Sequence, residues 1–116
     1  MYVLYHNPRC SKSREAVKMC EKSSHNVRIH RYLESPLSLI ELTSILQRLE
    51  GNISRIIRTN DPAFKRLSAV SIDDMSRDDM VHFLFENGHL MERPLLDTGS
   101  VTKIGRPVHD LADYLQ

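Results

Sequence analysis

Apolar and polar positions along this chain change period several times, and each change marks an element. Tyr2-Val3-Leu4-Tyr5 is a short β-favouring run that breaks at His6-Asn7-Pro8, a turn signature, so a first strand ends there. From Ser11 to Lys22 the period becomes helical: Ser13, Ala16, Val17 and Cys20 fall at i, i+3, i+4 and i+7, with Lys12, Glu15, Lys18 and Lys22 largely off that stripe. Cys10 therefore stands at a helix N-terminus. Between Val27 and Tyr32, Val27 and Ile29 alternate with Arg28 and His30, the period-2 pattern of a half-buried second strand.

The middle of the chain predicts helices. Ser35-Pro36 is followed by Ser38 with Glu41 three residues on, a capping-box signature, and then by Leu39, Leu42, Ile45, Leu46 and Leu49 on one helical face. Asn52 can cap a short segment carrying Ile53, Ile56 and Ile57, and Asp61-Pro62 offers a cap and first-turn proline for another through Phe64. Ser76 caps a further helix with Asp78 and Asp79 in its first turn, Met80, Phe83 and Leu84 inward, and Asn87-Gly88 as terminator. After Met91-Glu92-Arg93-Pro94, the runs Leu95-Leu96 and Val101-Thr102-Lys103-Ile104 flank a hairpin loop, Asp97-Thr98-Gly99-Ser100. Pro107 then opens a last helix burying Val108, Leu111 and Leu115. The order is βαβ, a helical insertion, ββ and α. It predicts one α/β domain over residues 1–116, without repeat or linker.

Composition narrows the function classes. Hydrophobic residues at 41% and charged residues at 27% describe an ordinary folded globule. A net charge of +1 denies it the broad basic field of non-specific nucleic-acid binders, so no nucleic acid is expected as partner and any anion site must be built locally. Apolar runs are far shorter than a bilayer span and no signal-peptide pattern opens the chain, which predicts no membrane association and a cytoplasmic address. Two cysteines make no disulfide framework, and a reducing compartment keeps both as thiols.

The chemistry centres on Cys10. Ahead of a helix its sulfur faces unpaired N–H groups and the positive end of the dipole, and His6, Arg9, Lys12 and Arg14 add local positive charge, all favouring thiolate. Cys20 lies ten residues along, roughly 15 Å at ~1.5 Å per residue, beyond bridging distance, and it shares the apolar stripe as a small core residue. Ser13 stands three after Cys10, so there is no Cys-x-x-Cys dithiol, and a redox cycle must borrow an outside thiol. Ala16 stands six after Cys10, which breaks the Cys-x5-Arg phosphatase loop. His6 and Cys10 have ligand-like spacing, but no second pair accompanies them, and no metal site is expected.

His6-Asn7-Pro8-Arg9-Cys10-Ser11-Lys12-Ser13-Arg14 resembles the His-Asn-Pro-x-Cys-x-x-Ser-Arg signature of the glutaredoxin-linked arsenate reductases, a branch of the thioredoxin-like superfamily. Further matches are Ser35-Pro36-Leu37, Ile57-Arg58-Thr59-Asn60, Arg93-Pro94 and Gly105-Arg106-Pro107, so the resemblance runs through the whole chain. Ser11-Lys12 stands where many members carry Gly-Thr, a change in the loop's flexibility and charge. The resemblance implies a thioredoxin-like α/β fold, a mixed sheet with a helical insertion. It also implies a Cys10 nucleophile, an oxyanion held by Arg58, Arg93 and Arg106, tuning of the cysteine by His6 and Ser13, and a proline at position 94 of the kind that thioredoxin-like proteins hold cis opposite the cysteine. Arg14 belongs to the motif as possible support, or as a partner of Glu15 or Glu92. Arginine suits the task because its planar, permanently charged fork grips tetrahedral oxyanions.

The implied reaction is reduction of arsenate to arsenite. Glutathione is the co-substrate, glutaredoxin the protein partner, no cofactor is bound, a monomer is the expected state, and arsenic resistance is the implied role. Two alternatives carry weight: a thioredoxin-like regulator that binds a partner such as RNA polymerase, and a thiol-dependent enzyme acting on another oxyanion. The absent second cysteine weighs against the first, and three arginines favour oxyanion chemistry.

Overall fold

The computed structural model describes residues 1–67 and 70–116. Ser68 and Ala69, inside the predicted helical insertion, lie outside the described residues. Strand β1 (Tyr2–His6) is followed by helix α1 (Ser11–Lys22) and strand β2 (Val27–Arg31). The insertion contains α2 (Leu39–Gln47), a 3-10 turn (Ile53–Ile56), the one-turn helix α3 (Pro62–Lys65), a 3-10 turn that the sequence pattern did not announce (Ile72–Asp74), and α4 (Arg77–Glu86). A 3-10 turn (Gly88–Leu90) leads to β3 (Leu95–Asp97) and β4 (Thr102–Ile104), and a 3-10 helix (Val108–Tyr114) ends the fold.

The sheet runs β2-β1-β3-β4. β1 pairs parallel with β2 (Leu4 opposite Ile29) and antiparallel with β3 (Leu4 opposite Leu96), and β3 pairs antiparallel with β4. A period of two along β1 and β3 sends neighbours to opposite faces. Leu4 and Leu96 join Ala16, Cys20, Leu111 and Leu115 on the α1 side, whereas Tyr5 and Leu95 join the leucines and isoleucines of the insertion on the other. Two apolar layers thus sandwich one sheet, and β1 ends between them, where the Cys10 loop begins.

Local signals act as expected at the helix starts. The Ser38 hydroxyl accepts from the Glu41 N–H while the Glu41 carboxylate accepts from the Ser38 N–H, and Ser76 with Asp79 repeats the box. Each such cap is worth ~0.5–2 kcal/mol. Asn52 and Asp61 cap their turns through side-chain oxygens.

Several expectations need correction. Ile29 is 37% exposed because β2 is an edge strand, and Tyr32 is buried just beyond it rather than ending it. Leu39 in the first turn of α2 is exposed, and Leu49 reaches the core beyond the helix, where it bridges to Thr102. In α4, Val81 is buried and Phe83 is half-buried against Phe64, edge to face at 6.1 Å. Asp97 belongs to β3 rather than to the hairpin loop, is buried, and accepts from Arg48 Nε at 3.2 Å. Gly99 supplies a positive φ in the turn, +94°. The last helix is 3-10 throughout, with Val108 only half-buried.

Candidate active site

Cys10 is the N-cap of α1, with extended backbone angles that turn the chain from the β1 loop into the helix. Its own N–H bonds Asn7 O at 3.0 Å, and its carbonyl accepts from Arg14 N at 3.0 Å. An N-cap side chain lies among the unpaired N–H groups of the first turn. At Cys10 that side chain closes no cap hydrogen bond of its own, which leaves the sulfur available to groups from elsewhere in the fold. Arg106, 96 residues further along the chain, donates from Nη2 to Cys10 Sγ at 3.2 Å.

These contacts set the state of the thiol. Burial is the largest single influence and raises its pKa. It is outweighed by the Ser13 N–H, the Arg93 side chain and the charges of Arg106 and Arg93, so Cys10 is held below the ordinary cysteine range. The cations expected to do this, those near in sequence, do not. Arg9 is exposed, Lys12 turns to Glu15 at 3.8 Å, and Arg14 donates from Nη1 to Pro8 O at 3.0 Å rather than pairing with Glu15 or Glu92. His6 is kept off its charged form by burial, with Arg31 and Arg14 adding to the effect. Lys12 and Arg14 are directed elsewhere from the first turn of α1, and a distant segment brings the Arg106 guanidinium that reaches the sulfur.

His6 and Ser13 meet each other. His6 Nδ1 lies 2.6 Å from Ser13 Oγ, and that hydroxyl also accepts from Asn7 N at 3.0 Å. Asn7 in turn accepts from Arg9 N at 3.0 Å through Oδ1. Ser13, His6 and Asn7 are all buried. The Ser13 side chain therefore locks the loop, its hydroxyl engaged with His6 and Asn7 rather than with the sulfur.

Arg93 and Arg106 are joined through backbone: Arg106 Nε donates to Arg93 O at 2.9 Å. Both precede cis prolines, Pro94 and Pro107. Gly105 allows the close approach, since a Cβ there would lie 2.9 Å from both Pro94 Cγ and Leu111 Cδ1. The Nε of Arg93 is buried with no hydrogen-bond partner. Arg58 arrives from the insertion, in the extended segment after a 3-10 turn rather than on a helix, pinned by its N–H to Leu90 O at 2.8 Å. Its guanidinium is half-buried, with Asp61 Oδ2 at 2.9 Å and Glu92 Oε1 at 3.5 Å.

Three participants were not read from the sequence as part of this cluster. Glu92 touches both Arg58 and Arg106, the latter at 3.7 Å, and its place directly before Arg93-Pro94 was the available signal. Tyr32, raised above the ordinary phenol range by burial despite the charges of Arg93 and Arg58, donates to Met91 O at 3.4 Å beside them. Arg55 Nη2 holds the Arg106 carbonyl at 2.9 Å. A cleft of about 610 Å3 opens next to the cluster, sharing Arg58 and Glu92 and continuing along Arg55, Thr59 and Asn60, without Cys10 in its wall. Chemically the arrangement can hold a thiolate and a multiply charged anion side by side, since the donors are charged and directional. Among the described residues no group of three or more His, Cys, Asp or Glu is placed to hold a metal ion, and no helix is long and apolar enough to cross a membrane.

The likeness to known proteins runs over nearly the whole chain. The ArsC family pattern matches residues 5–114. An arsenate reductase of Haemophilus influenzae is 34% identical, covering 97% of each chain, and the uncharacterized protein YfgD of Escherichia coli is 32% identical over 97% of this chain and 94% of its own. The structure of an arsenate reductase from Vibrio cholerae superposes with a TM-score of 0.84 at 30% identity, over 97% of this chain and 95% of that one. The mixed sheet with its helical insertion is thus the thioredoxin-like fold that the sequence motifs imply.

Proposed function

This chain belongs to the ArsC family, and from that premise we propose that it reduces arsenate to arsenite through the Cys10 thiolate, with glutathione as co-substrate and glutaredoxin as the protein that regenerates it. Arg58, Arg93 and Arg106 hold the oxyanion. His6 and Ser13 position the loop, with Arg14 and Pro94 as support. The thiolate attacks arsenic(V) and an arsenate hydroxyl, protonated from solvent, leaves as water, giving a sulfur–arsenic bond. Glutathione thiolate then attacks Cys10 Sγ, a disulfide forms, and the electron pair of the sulfur–arsenic bond stays on arsenic as arsenite leaves. Glutaredoxin takes the glutathionyl group and frees the thiolate. No bound cofactor or metal takes part, and the protein works as a cytoplasmic monomer in arsenic resistance.

One observation carries this reading: beside a thiol already contacted by Arg106, the Arg93 Nε is buried and unpaired. A buried charged donor without a partner is costly, ~1–3 kcal/mol or more, and a bound oxyanion would satisfy it. The 34% identity to an arsenate reductase adds the substrate class.

The test is turnover by purified protein with arsenate, glutathione and glutaredoxin, omitting each in turn. Arsenite production that needs all three is the expected result. Production that persists without glutathione or glutaredoxin would remove the proposed resolving route, and none under any condition would remove the activity.

A further inference from the structure

Glu92 is an odd neighbour for an anion site. Its Oε1 lies 3.5 Å from Arg58 Nε and 3.7 Å from Arg106 Nη2, and accepts from Arg93 N at 3.1 Å. It thus stands among the three arginines assigned to the oxyanion. The Arg106 contact is the telling one, because the same Nη2 also bonds Cys10 Sγ. Whatever Arg106 presents to the sulfur sits beside the Glu92 carboxylate.

The carboxylate is not free to leave. Its bond to the next residue's N–H fixes it by a short local link, while its two ion pairs are long and loose. Among the described residues Oε2 accepts no hydrogen bond, and the side chain borders the cleft that Arg58 also lines. An entering oxyanion can take over the arginines, but it must then face Glu92 at close range. Two anions can share such a place only if a proton lies between them. Arsenate and phosphate at neutral pH keep at least one O–H, which can donate to the carboxylate. Sulfate has none.

Resting on the oxyanion reading above, we propose that Glu92 selects ligands by protonation state: it accepts a hydrogen bond from the O–H of a protonated tetrahedral oxyanion held by Arg58 and Arg106, and repels a fully ionised one. The ligand class is the hydrogen-bearing oxyanion, and the class rejected is the sulfate type of similar size. A site built to pair with a substrate hydroxyl discriminates strongly against an analogue lacking it, because its polar group is left facing nothing favourable.

The probe is protection of Cys10 from iodoacetamide by inorganic phosphate and by sulfate, titrated separately at neutral pH on the full chain. Phosphate should protect at a concentration at least about tenfold lower than sulfate. Glu92→Gln should erase at least about tenfold of that preference by tightening sulfate while phosphate moves little, and Glu92→Asp, which keeps the charge, should retain it. Equal protection by both ions in the unaltered protein, or an undiminished preference in Glu92→Gln, overturns the proposal, as does protection by neither. If Glu92→Gln fails to fold, the unaltered protein and Glu92→Asp still decide. Arsenate turnover accompanied by equal protection would sink this inference alone, whereas a clear phosphate preference without turnover would sink the proposed activity and leave the selection standing.

Discussion

Two thiols on one helix meet opposite fates. Cys10 caps the N-terminus of α1 and Cys20 lies near its other end, packed with Leu4, Ala16, Leu96, Leu111 and Leu115. For both, burial is the largest influence on the thiol and acts in the same direction. Cys20 has nothing to oppose it, is disfavoured further by Glu21, and is pushed up to about 11. Cys10 meets a backbone N–H and two guanidiniums, and ends lowered. Desolvation alone makes a cysteine inert, so reactivity here is made by the donors brought to the sulfur and not by exposure.

The largest expected effect tests that contrast directly. Cys10→Ser should abolish arsenate turnover, whereas Cys20→Ala should keep most of it, both judged on protein whose circular dichroism is unchanged. Comparable loss from both would break the comparison and the single-thiol mechanism with it.

Next come the arginines. Arg106→Ala, Arg93→Ala and Arg58→Ala should each lower kcat/KM by one to two powers of ten, since a charged hydrogen bond is worth ~1.5–3 kcal/mol and ~1.4 kcal/mol is tenfold. Arg106→Ala should be worst, because only that residue both contacts the sulfur and hydrogen-bonds the Arg93 carbonyl. Lysine at these positions should rescue poorly for want of a planar fork. Normal kinetics in all three variants would make them surface cations.

The pH behaviour of the two thiols should diverge as well. Iodoacetamide should label Cys10 with a midpoint below the ~8.5 of free cysteine, moving upward in Arg106→Ala. A depressed thiol loses its proton first in the folded state, so its stabilisation is present above the unfolded value and lost as pH falls through the folded one. Cys20 has the opposite sign: the unfolded chain ionises first, so stability declines as pH rises from ~8.5 toward about 11. Urea melts across that window should show a shallower decline in Cys20→Ala.

The smallest effect concerns the loop. Ser13→Ala strips a hydroxyl from His6 and from Asn7 N–H in a buried site, a loss of ~1–3 kcal/mol in stability by urea melt. Turnover should drop only several-fold, because the Ser13 hydroxyl is engaged with His6 and the Asn7 N–H rather than with the sulfur. Abolished turnover with an intact fold would assign the hydroxyl a direct chemical role.

Short-range information was enough to foresee the Cys10 end of α1, the Ser38 and Ser76 caps, the Cys20 stripe and the hairpin at Gly99. In each case the deciding contacts fall within a few residues, and helix and turn geometry translate spacing into position. That reach also explains what misled. Arg9, Lys12 and Arg14 are near Cys10 along the chain, but Arg9 is exposed ahead of the helix and the first helical turn points Lys12 and Arg14 elsewhere, so only packing decides which cation meets the sulfur. Arg58, Arg93 and Arg106 could be named from motif resemblance. Their convergence depends on the insertion folding over the sheet, on Leu90 O holding Arg58, and on Gly105 letting its loop press against Pro94. Ile29 is exposed despite its strand period because periodicity reports which face a residue takes and not whether anything covers it. Glu92 and Tyr32 entered the site unforeseen for the same reason. Sequence by itself determined where a thiol could be activated; tertiary structure decided which groups activate it, because electrostatic and hydrogen-bond energies depend on distances in space that the order of residues does not contain.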